Sequence, residues 1–163
     1  MIRQGDAVVY KNKGMFKVHN VGTLDFSHVS RGKEYYTLQS IIDAKERAYV
    51  PIDDQTSIRK PMNHSEAMEL INRLDKIEIL WVQNEKLRER DYRDCIAKNS
   101  PEGWIKVLKT LNERTKSRGS ATMMDKKYRQ MLEHALYSEF SYALGIPIDK
   151  VGEFIAEQLQ KND

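Results

Sequence analysis

Apolar residues in the first 60 positions come in short runs, and turn-forming residues separate these runs. One run fills positions 7–10, with Gly5-Asp6 before it and Asn12-Lys13-Gly14 after it. This pattern predicts a strand, a tight turn and a second strand. In the second strand Phe16 and Val18 alternate with polar residues, which is typical of a half-buried strand.

Three further short strands are predicted at residues 34–39, 47–51 and 57–59, and residues 22–32 are predicted to form a loop. Pro51 has no N–H group for a ladder hydrogen bond, so its strand ends there or lies at a sheet edge. Five short strands with frequent turn signals predict a small antiparallel barrel or a strongly bent sheet. Sixty residues bury little apolar area, so we expect this sheet to lean on the first helix after it.

After Pro61 the apolar residues recur with the period of a helix. Ser65 is an N-cap type of residue, and the apolar positions between Ala67 and Leu74 follow one helical face. The run at 77–81 either extends this helix or bridges to a charged helix over 83–98. The chain is thus expected to be an α+β protein of two domains, with a β-module at 1–60 and an all-helical domain at 61–163.

Three more helices follow with clearer end signals. Ser100 is placed to cap a helix that has Pro101 in its first position and that stops at Gly119. A long helix is predicted from about 121 to 144, and a final helix after Pro147. Trp104 lies in the apolar stripe of the Ser100-capped helix, so we expect it in the core.

Charge is distributed unevenly along the 163 residues. The net charge is +3, but residues 104–130 hold eight bases and two acids, a local excess of +6. Such a block predicts a surface that faces nucleic acid, although a solvated pair of helix faces is the alternative. The eight bases are Lys106, Lys109, Arg114, Lys116, Arg118, Lys126, Lys127 and Arg129.

Compartment and chemistry follow from what the sequence lacks. It has no run of 18 apolar residues and no apolar signal region at its start, so we expect a cytoplasmic protein without a membrane span. Phosphate-loop, dinucleotide-binding and hydrolase motifs are absent, and the four histidines are dispersed, so no cofactor, metal or enzymatic activity is expected. The single cysteine, Cys95, is either a packed core thiol or, as an alternative, a nucleophile.

The first half of the chain resembles the CarD-like family, which is related to the polymerase-interacting module of the transcription-repair coupling factor. The resemblance rests on Gly5-Asp6-Ala7-Val8-Val9-Tyr10 with Gly14 and Val18, on Glu34-Tyr35-Tyr36-Thr37-Leu38, and on Tyr49-Val50-Pro51-Ile52-Asp53 with Ile58-Arg59. In the second half Arg90-Asp91-Tyr92 is similar to an Arg-Arg-Tyr element of that family. The segment 107–119 and the helix at 126–136 look similar to its next two helices.

The resemblance implies a bacterial transcription regulator, monomeric in solution. Its Tudor-like β-module would bind the β subunit of RNA polymerase, and its helical domain would bind promoter DNA, largely through the backbone, and modulate open-complex stability. The strand at 47–51 is a candidate edge strand for polymerase binding, through Arg47, Tyr49, Val50 and Pro51. Trp81, Arg88 and Arg90 join the eight bases of residues 104–130 as candidate DNA-binding residues.

Two positions depart from the family pattern. Arg88 stands where the family has a DNA-facing tryptophan, four residues before the tyrosine, and Tyr49 stands where an arginine is familiar. Trp81 either takes the place of that tryptophan as a wedge in a distorted minor groove, or packs in the core or between domains. The displaced tryptophan leaves an alternative open, an adaptor of the same fold that binds the polymerase without contacting DNA.

Overall fold

A computed structural model describes residues 2–25 and 32–161. Part of the predicted loop at 22–32 therefore lies outside the described residues. Within these ranges five strands come first, followed by five helices, and this order confirms the α+β class. The strands are β1 (Ala7–Tyr10), β2 (Gly14–Thr23), β3 (Glu34–Ser40), β4 (Arg47–Pro51) and β5 (Ile58–Arg59). The helices are α1 (His64–Asn72), α2 (Arg88–Ile96), α3 (Pro101–Arg118), α4 (Met123–Leu144) and α5 (Val151–Lys161).

The strands form one antiparallel sheet in the order β4-β3-β2-β1-β5. Among the described residues β4 and β5 do not pair with each other, so the sheet is open and not a closed barrel. An irregularity between Val18 and Asn20 shifts the register of β2 against β3, and a bulge of this kind increases the local twist. One face of the sheet buries its own apolar cluster: Val8, Phe16, Val18, Leu38, Val50 and Ile58.

The opposite face of the sheet packs on α4. Val9 and Met15 belong to the apolar cluster of the helices, and the Met15 N–H donates to the Ser138 hydroxyl at 3.3 Å. Gly14 has a φ of +98°, and a Cβ there would lie 2.6 Å from the Ser138 Oγ, so only glycine permits this approach. We expected the sheet to lean on the first helix, and α1 does share the apolar cluster of Val9 and Met15. The hairpin turn itself packs on a helix more than 100 residues later.

A buried ion pair joins β5 to α4. The Arg59 guanidinium donates to both Glu139 carboxylate oxygens at 2.7 Å, and the Met62 N–H donates to the same carboxylate at 2.9 Å. The Arg59 Nε also donates to the Asn99 carbonyl, and its guanidinium lies 5.3 Å from the Trp104 ring centre. Trp104 is fully buried, as its helical stripe predicts. Sheet and helices thus meet in one apolar core with a charged pair inside it.

Local capping sets the helix ends. Asn63, not the predicted Ser65, caps α1, because its side chain accepts from the Glu66 N–H while the Glu66 side chain accepts from the Asn63 N–H. Ser100 and Gly119 bound α3 as predicted. The predicted charged helix over 83–98 is shorter, since a 3₁₀ turn at Glu85–Leu87 precedes α2. Similar turns occur at Leu74–Lys76 and Ile148–Lys150. No helix of the described residues is long and apolar enough to cross a membrane.

Candidate nucleic-acid interface

Trp81 lies on the surface with 82% of its area exposed. It belongs to a non-helical segment, residues 77–84, that connects the 3₁₀ turn after α1 to the 3₁₀ turn before α2. We call this segment the Trp81 strap. Of the two sequence interpretations of 77–81, the bridge is correct. Of the two alternatives for Trp81, packing in a core or between domains is wrong, because the Trp81 side chain faces water even though Ile77 of the same strap is buried in the core.

Two side chains of α3 fix the Trp81 strap from below. The Lys109 ammonium donates to the Leu74 carbonyl at 2.8 Å and to the Ile77 carbonyl. The Leu80 N–H donates to the Thr110 hydroxyl at 2.7 Å. The bonds at Ile77 and Leu80 lie within four residues of Trp81, so they fix the backbone that carries the exposed indole ring.

A cluster of charges holds the other end of the strap. The Glu85 carboxylate accepts from the Arg88 Nε at 2.8 Å and from its Nη2 at 2.5 Å, and lies 3.5 Å from the Arg114 Nη1. The Arg88 hydrogen bonds lower the pKa of Glu85 from 4.5 to about 2. The same pairing raises the pKa of Arg88, so both groups stay ionised at neutral pH.

The charged cluster extends into the helical core. The Arg114 Nε donates to the buried Asp125 carboxylate at 2.8 Å, and the Arg88 Nη1 donates to the Tyr92 hydroxyl at 3.2 Å. Burial raises the pKa of Tyr92, whose ring packs edge-on against Tyr128. We call Glu85, Arg88, Arg114 and Asp125 the strap cluster, which joins the strap to α2, α3 and α4.

Four of the eleven basic and aromatic candidates for DNA contact donate hydrogen bonds within the protein, and a fifth, Arg90, forms a longer ion pair with Asp91 at 3.6 Å. Arg88 and Arg114 belong to the strap cluster, Lys109 binds two carbonyls, and Arg129 donates to the Thr115 hydroxyl at 3.3 Å. Arg88 is also buried, because Glu85 folds over it. These four side chains use their hydrogen-bond donors within the protein, so we do not retain them in the candidate interface.

The remaining candidates lie nearer to solvent. Arg90, Lys116, Arg118, Lys126 and Lys127 are exposed, and Lys106 is half-buried. Arg90 and Lys106 lie with Trp81 along a crevice of about 840 Å³, the Trp81 crevice. Lys98 also lines it and was missed by the sequence analysis, because it lies outside the basic block and past the end of α2. Three acids, Glu85, Asp91 and Asp94, balance the three bases of this lining.

Cys95 lies at the same crevice as a packed thiol. It is buried, its Sγ donates to the Gly103 carbonyl at 3.4 Å, and burial raises its pKa. A raised pKa disfavours the thiolate, so Cys95 lacks the activation that a nucleophile needs. Within the described ranges no group of three or more His, Cys, Asp or Glu side chains is placed to hold a metal ion.

The four residues predicted to bind the polymerase all lie on β4, an edge strand of the sheet. The Ser40 N–H donates to the Glu46 carbonyl, and the Ile52 N–H donates to the Glu34 carbonyl. In this register the backbone N–H and C=O groups of Ala48 and Val50 point towards β3. Because an antiparallel ladder alternates, the backbone groups of Arg47 point away from β3, where no strand of the described chain pairs with β4. Pro51 has no N–H group, and its carbonyl accepts from the Asp54 N–H at 3.0 Å.

The side chains of β4 alternate between the two faces of the sheet. Arg47 and Tyr49 are exposed, Pro51 is half-buried, and Val50 is buried in the sheet's own cluster. Ile52 follows directly and is 39% exposed, although it was not among the residues predicted to bind the polymerase. An exposed apolar residue beside an unpaired strand edge is typical of a strand that takes a partner.

Compared with known proteins, the chain matches no family model and no curated protein sequence. Its assignment to a class therefore depends on the geometry above and on the resemblance in its sequence.

Proposed function

We propose that this chain is a transcription regulator of the CarD-like type. In this proposal the sheet is a Tudor-like module that binds the β subunit of RNA polymerase through β4. The helical part binds promoter DNA at the upstream edge of the melted region and modulates the stability of the open complex. The protein acts as a monomer in the cytoplasm, and its role is binding, not catalysis.

The exposure of Trp81 carries the DNA half of the proposal. A tryptophan with 82% of its area in water costs hydrophobic free energy unless a partner covers it. Lys109, Thr110 and the strap cluster fix the backbone on both sides of the ring. Apolar side chains that enter distorted minor grooves partly unstack the bases. A fixed backbone suits such a role, because it holds the ring in place.

The edge position of β4 supports the polymerase half. An unpaired edge strand binds an extended partner through backbone hydrogen bonds, and side chains on the exposed face add selectivity. Arg47 supplies charge at the start of the strand and Ile52 supplies apolar area after its end. This edge lies in the sheet, while Trp81 lies in the helical part, so one chain can bind two partners.

The test measures the lifetime of a promoter open complex with the full chain and with Trp81→Ala. Base–aromatic stacking contributes about 1–3 kcal/mol per base, so the variant should lose roughly 5-fold to 150-fold of the effect. Tyr142→Ala is the matched control, because Tyr142 is also an exposed aromatic residue but lies at the end of α4. Equal lifetimes for wild type and Trp81→Ala would contradict the wedge.

A second arm of the experiment measures retention of the full chain on the polymerase β subunit. Arg47→Pro removes an N–H that points away from β3, so it should abolish pairing while keeping the internal ladder. Arg47→Gln keeps that N–H and removes only the charge, so it should retain most of the binding. If both variants are retained like wild type, β4 is not the docking edge.

The second candidate function is an adaptor of the same fold that binds the polymerase without DNA. The balanced charges of the Trp81 crevice favour it, as do the internal partners of Arg88, Lys109, Arg114 and Arg129. The two arms separate the candidates. An adaptor is retained on the β subunit through β4, but shows no loss of open-complex effect in Trp81→Ala.

A further inference from the structure

Helix α2 separates the Trp81 crevice from a second crevice of about 640 Å³. Arg90 and Asp94 border the first crevice, while Glu89 and Arg93 border the second. The opposite wall of the second crevice comes from the β1–β2 turn and from the first turns of α4. We call this second site the hairpin crevice.

The two crevices differ in net charge. The Trp81 crevice has three bases and three acids, so its lining is neutral. The hairpin crevice has three bases, Lys11, Arg93 and Lys127, and one acid, Glu89, so its lining carries +2. Only Lys127 was among the residues that the sequence suggested for DNA contact. The other two bases lie outside the basic block of residues 104–130.

The three bases of the hairpin crevice keep their charges available. All three are exposed, and none forms a salt bridge within the described part of the chain. The ammonium groups of Lys11 and Lys127 lie 5.4 Å and 5.3 Å from the ring centres of Tyr10 and Tyr128. These contacts orient the ammonium groups without using their hydrogen-bond donors.

The walls of the hairpin crevice are fixed to each other. The Asn12 amide of the β1–β2 turn contacts the Met131 sulfur of α4 at 3.0 Å, and Gly14 packs on Ser138. Lys11 and Lys127 are therefore brought together by the same packing that joins sheet to helices. A site built from three elements in this way holds its charges at a defined spacing.

We propose that the hairpin crevice binds phosphate groups of a nucleic-acid backbone. This inference rests on the proposed function and assigns its phosphate contacts to Lys11, Arg93 and Lys127. A helix is about 10 Å across, and a duplex groove is about 6–12 Å wide. One duplex can therefore place its backbone in the hairpin crevice while Trp81, on the other flank of α2, faces a groove. The backbone contacts position the duplex, and the tryptophan acts on it.

The test measures duplex DNA binding by the full chain over a range of salt concentrations. Each lost phosphate contact lowers the slope of log affinity against log salt by about 0.9, so Lys11→Gln, Arg93→Gln and Lys127→Gln together should lower it by about 2.7. A control triple variant, Lys45→Gln, Lys76→Gln and Lys161→Gln, changes the net charge equally at exposed sites outside both crevices. It should leave the slope within about 1 of wild type.

Glu89→Gln tests the same site in the opposite direction. It removes the one carboxylate of the lining, so duplex affinity should rise severalfold at low salt and the gain should vanish at high salt. Circular dichroism of every variant verifies that it is folded. If a triple variant is unfolded, Glu89→Gln and the three single variants decide the question, with an expected slope change of about 0.9 for each single variant.

The outcomes separate this inference from the proposed function. If wild type binds duplex with a steep salt slope and the crevice variants match it, the hairpin crevice is not the phosphate site, although the proposed function stands. If wild type shows no salt-dependent duplex binding, the DNA half of the proposed function fails and the inference fails with it. If inorganic tripolyphosphate binds wild type but not the crevice triple variant, while duplex binding is equal in both, the ligand is a free polyphosphate and the nucleic-acid source is overturned.

Discussion

Two charged clusters hold this protein together, and they differ in how much water reaches them. The pair of Arg59 and Glu139 joins the sheet to the helices, and the Glu139 side chain is fully buried with three hydrogen-bond donors. The strap cluster holds the segment that presents Trp81, and its Glu85 side chain is 70% exposed. One oxygen of Asp125 in that cluster is buried without a hydrogen-bond partner in the described residues.

This difference implies different mechanical roles. A pair whose carboxylate is fully buried and hydrogen-bonded resists change, because breaking the pair leaves that charge in the core. A cluster whose central carboxylate faces water is screened by salt and can exchange its partners for water at low cost. We infer that the sheet is fixed relative to the helices, whereas the support of Trp81 responds to salt and acid.

The largest expected change in stability comes from breaking the pair of Arg59 and Glu139, which joins the sheet to the helices. Arg59→Ala leaves the Glu139 carboxylate buried without its partner, so the free energy of unfolding should fall by about 3–5 kcal/mol. Arg73→Ala is the matched control, because Arg73 forms an exposed pair with Glu102 at 3.0 Å, and its loss should cost at most about 1 kcal/mol. Urea unfolding of both variants measures the difference. Equal losses would show that the Arg59 pair is not special.

A smaller difference in stability is expected when each of the two buried carboxylates, Glu139 and Asp125, is replaced by its amide. Glu139→Gln places an NH₂ group against donors that already occupy both oxygens, whereas Asp125→Asn can direct its NH₂ to the side that has no partner. The first change should destabilise the fold by about 2–3 kcal/mol, and the second by about 1 kcal/mol. Thermal unfolding at neutral pH compares them. A larger loss of stability for Asp125→Asn than for Glu139→Gln would contradict our inference that the pair of Arg59 and Glu139 resists change more than the strap cluster does.

The smallest effect concerns the exposed end of the strap cluster. The pKa of Glu85 is lowered from 4.5 to about 2, so its ion pairs favour the folded arrangement above pH 4.5 and are lost as the pH falls towards 2. The indole N–H resonance of Trp81 should therefore shift across this window, while that of buried Trp104 serves as an internal reference. In Glu85→Gln this acid-dependent shift should be absent. The same shift in that variant would assign it to another group.

Local sequence signals determined most of the secondary structure. Ser100, Pro101 and Gly119 act within a few residues of the helix ends they set, so α3 could be predicted to the residue. The hairpin of β1 and β2 could be predicted equally well from the sequence, because Gly14 and its neighbours specify the turn. The α1 cap was misplaced by two residues, since Asn63 competes with Ser65 and the reciprocal bonds with Glu66 decide between them.

The candidate site was less predictable, because burial of a charged residue depends on distant partners. Arg88 and Arg90 lie in the same charged helix, yet Arg88 is buried beneath Glu85 and Arg90 faces the Trp81 crevice. Lys11 and Arg93 carry no motif, and only packing of the hairpin on α4 brings Lys11 to the wall of a basic crevice.

The sequence by itself determined where this chain bends, where its helices stop and that Trp104 is a core residue, because caps, turns and apolar periods act over a few residues. The tertiary structure alone decided which basic residues remain free, because ion pairs such as Arg114 with Asp125 form between different helices. It also decided that Trp81 faces water, because nothing in a non-periodic run of apolar residues tells which of them another element will cover.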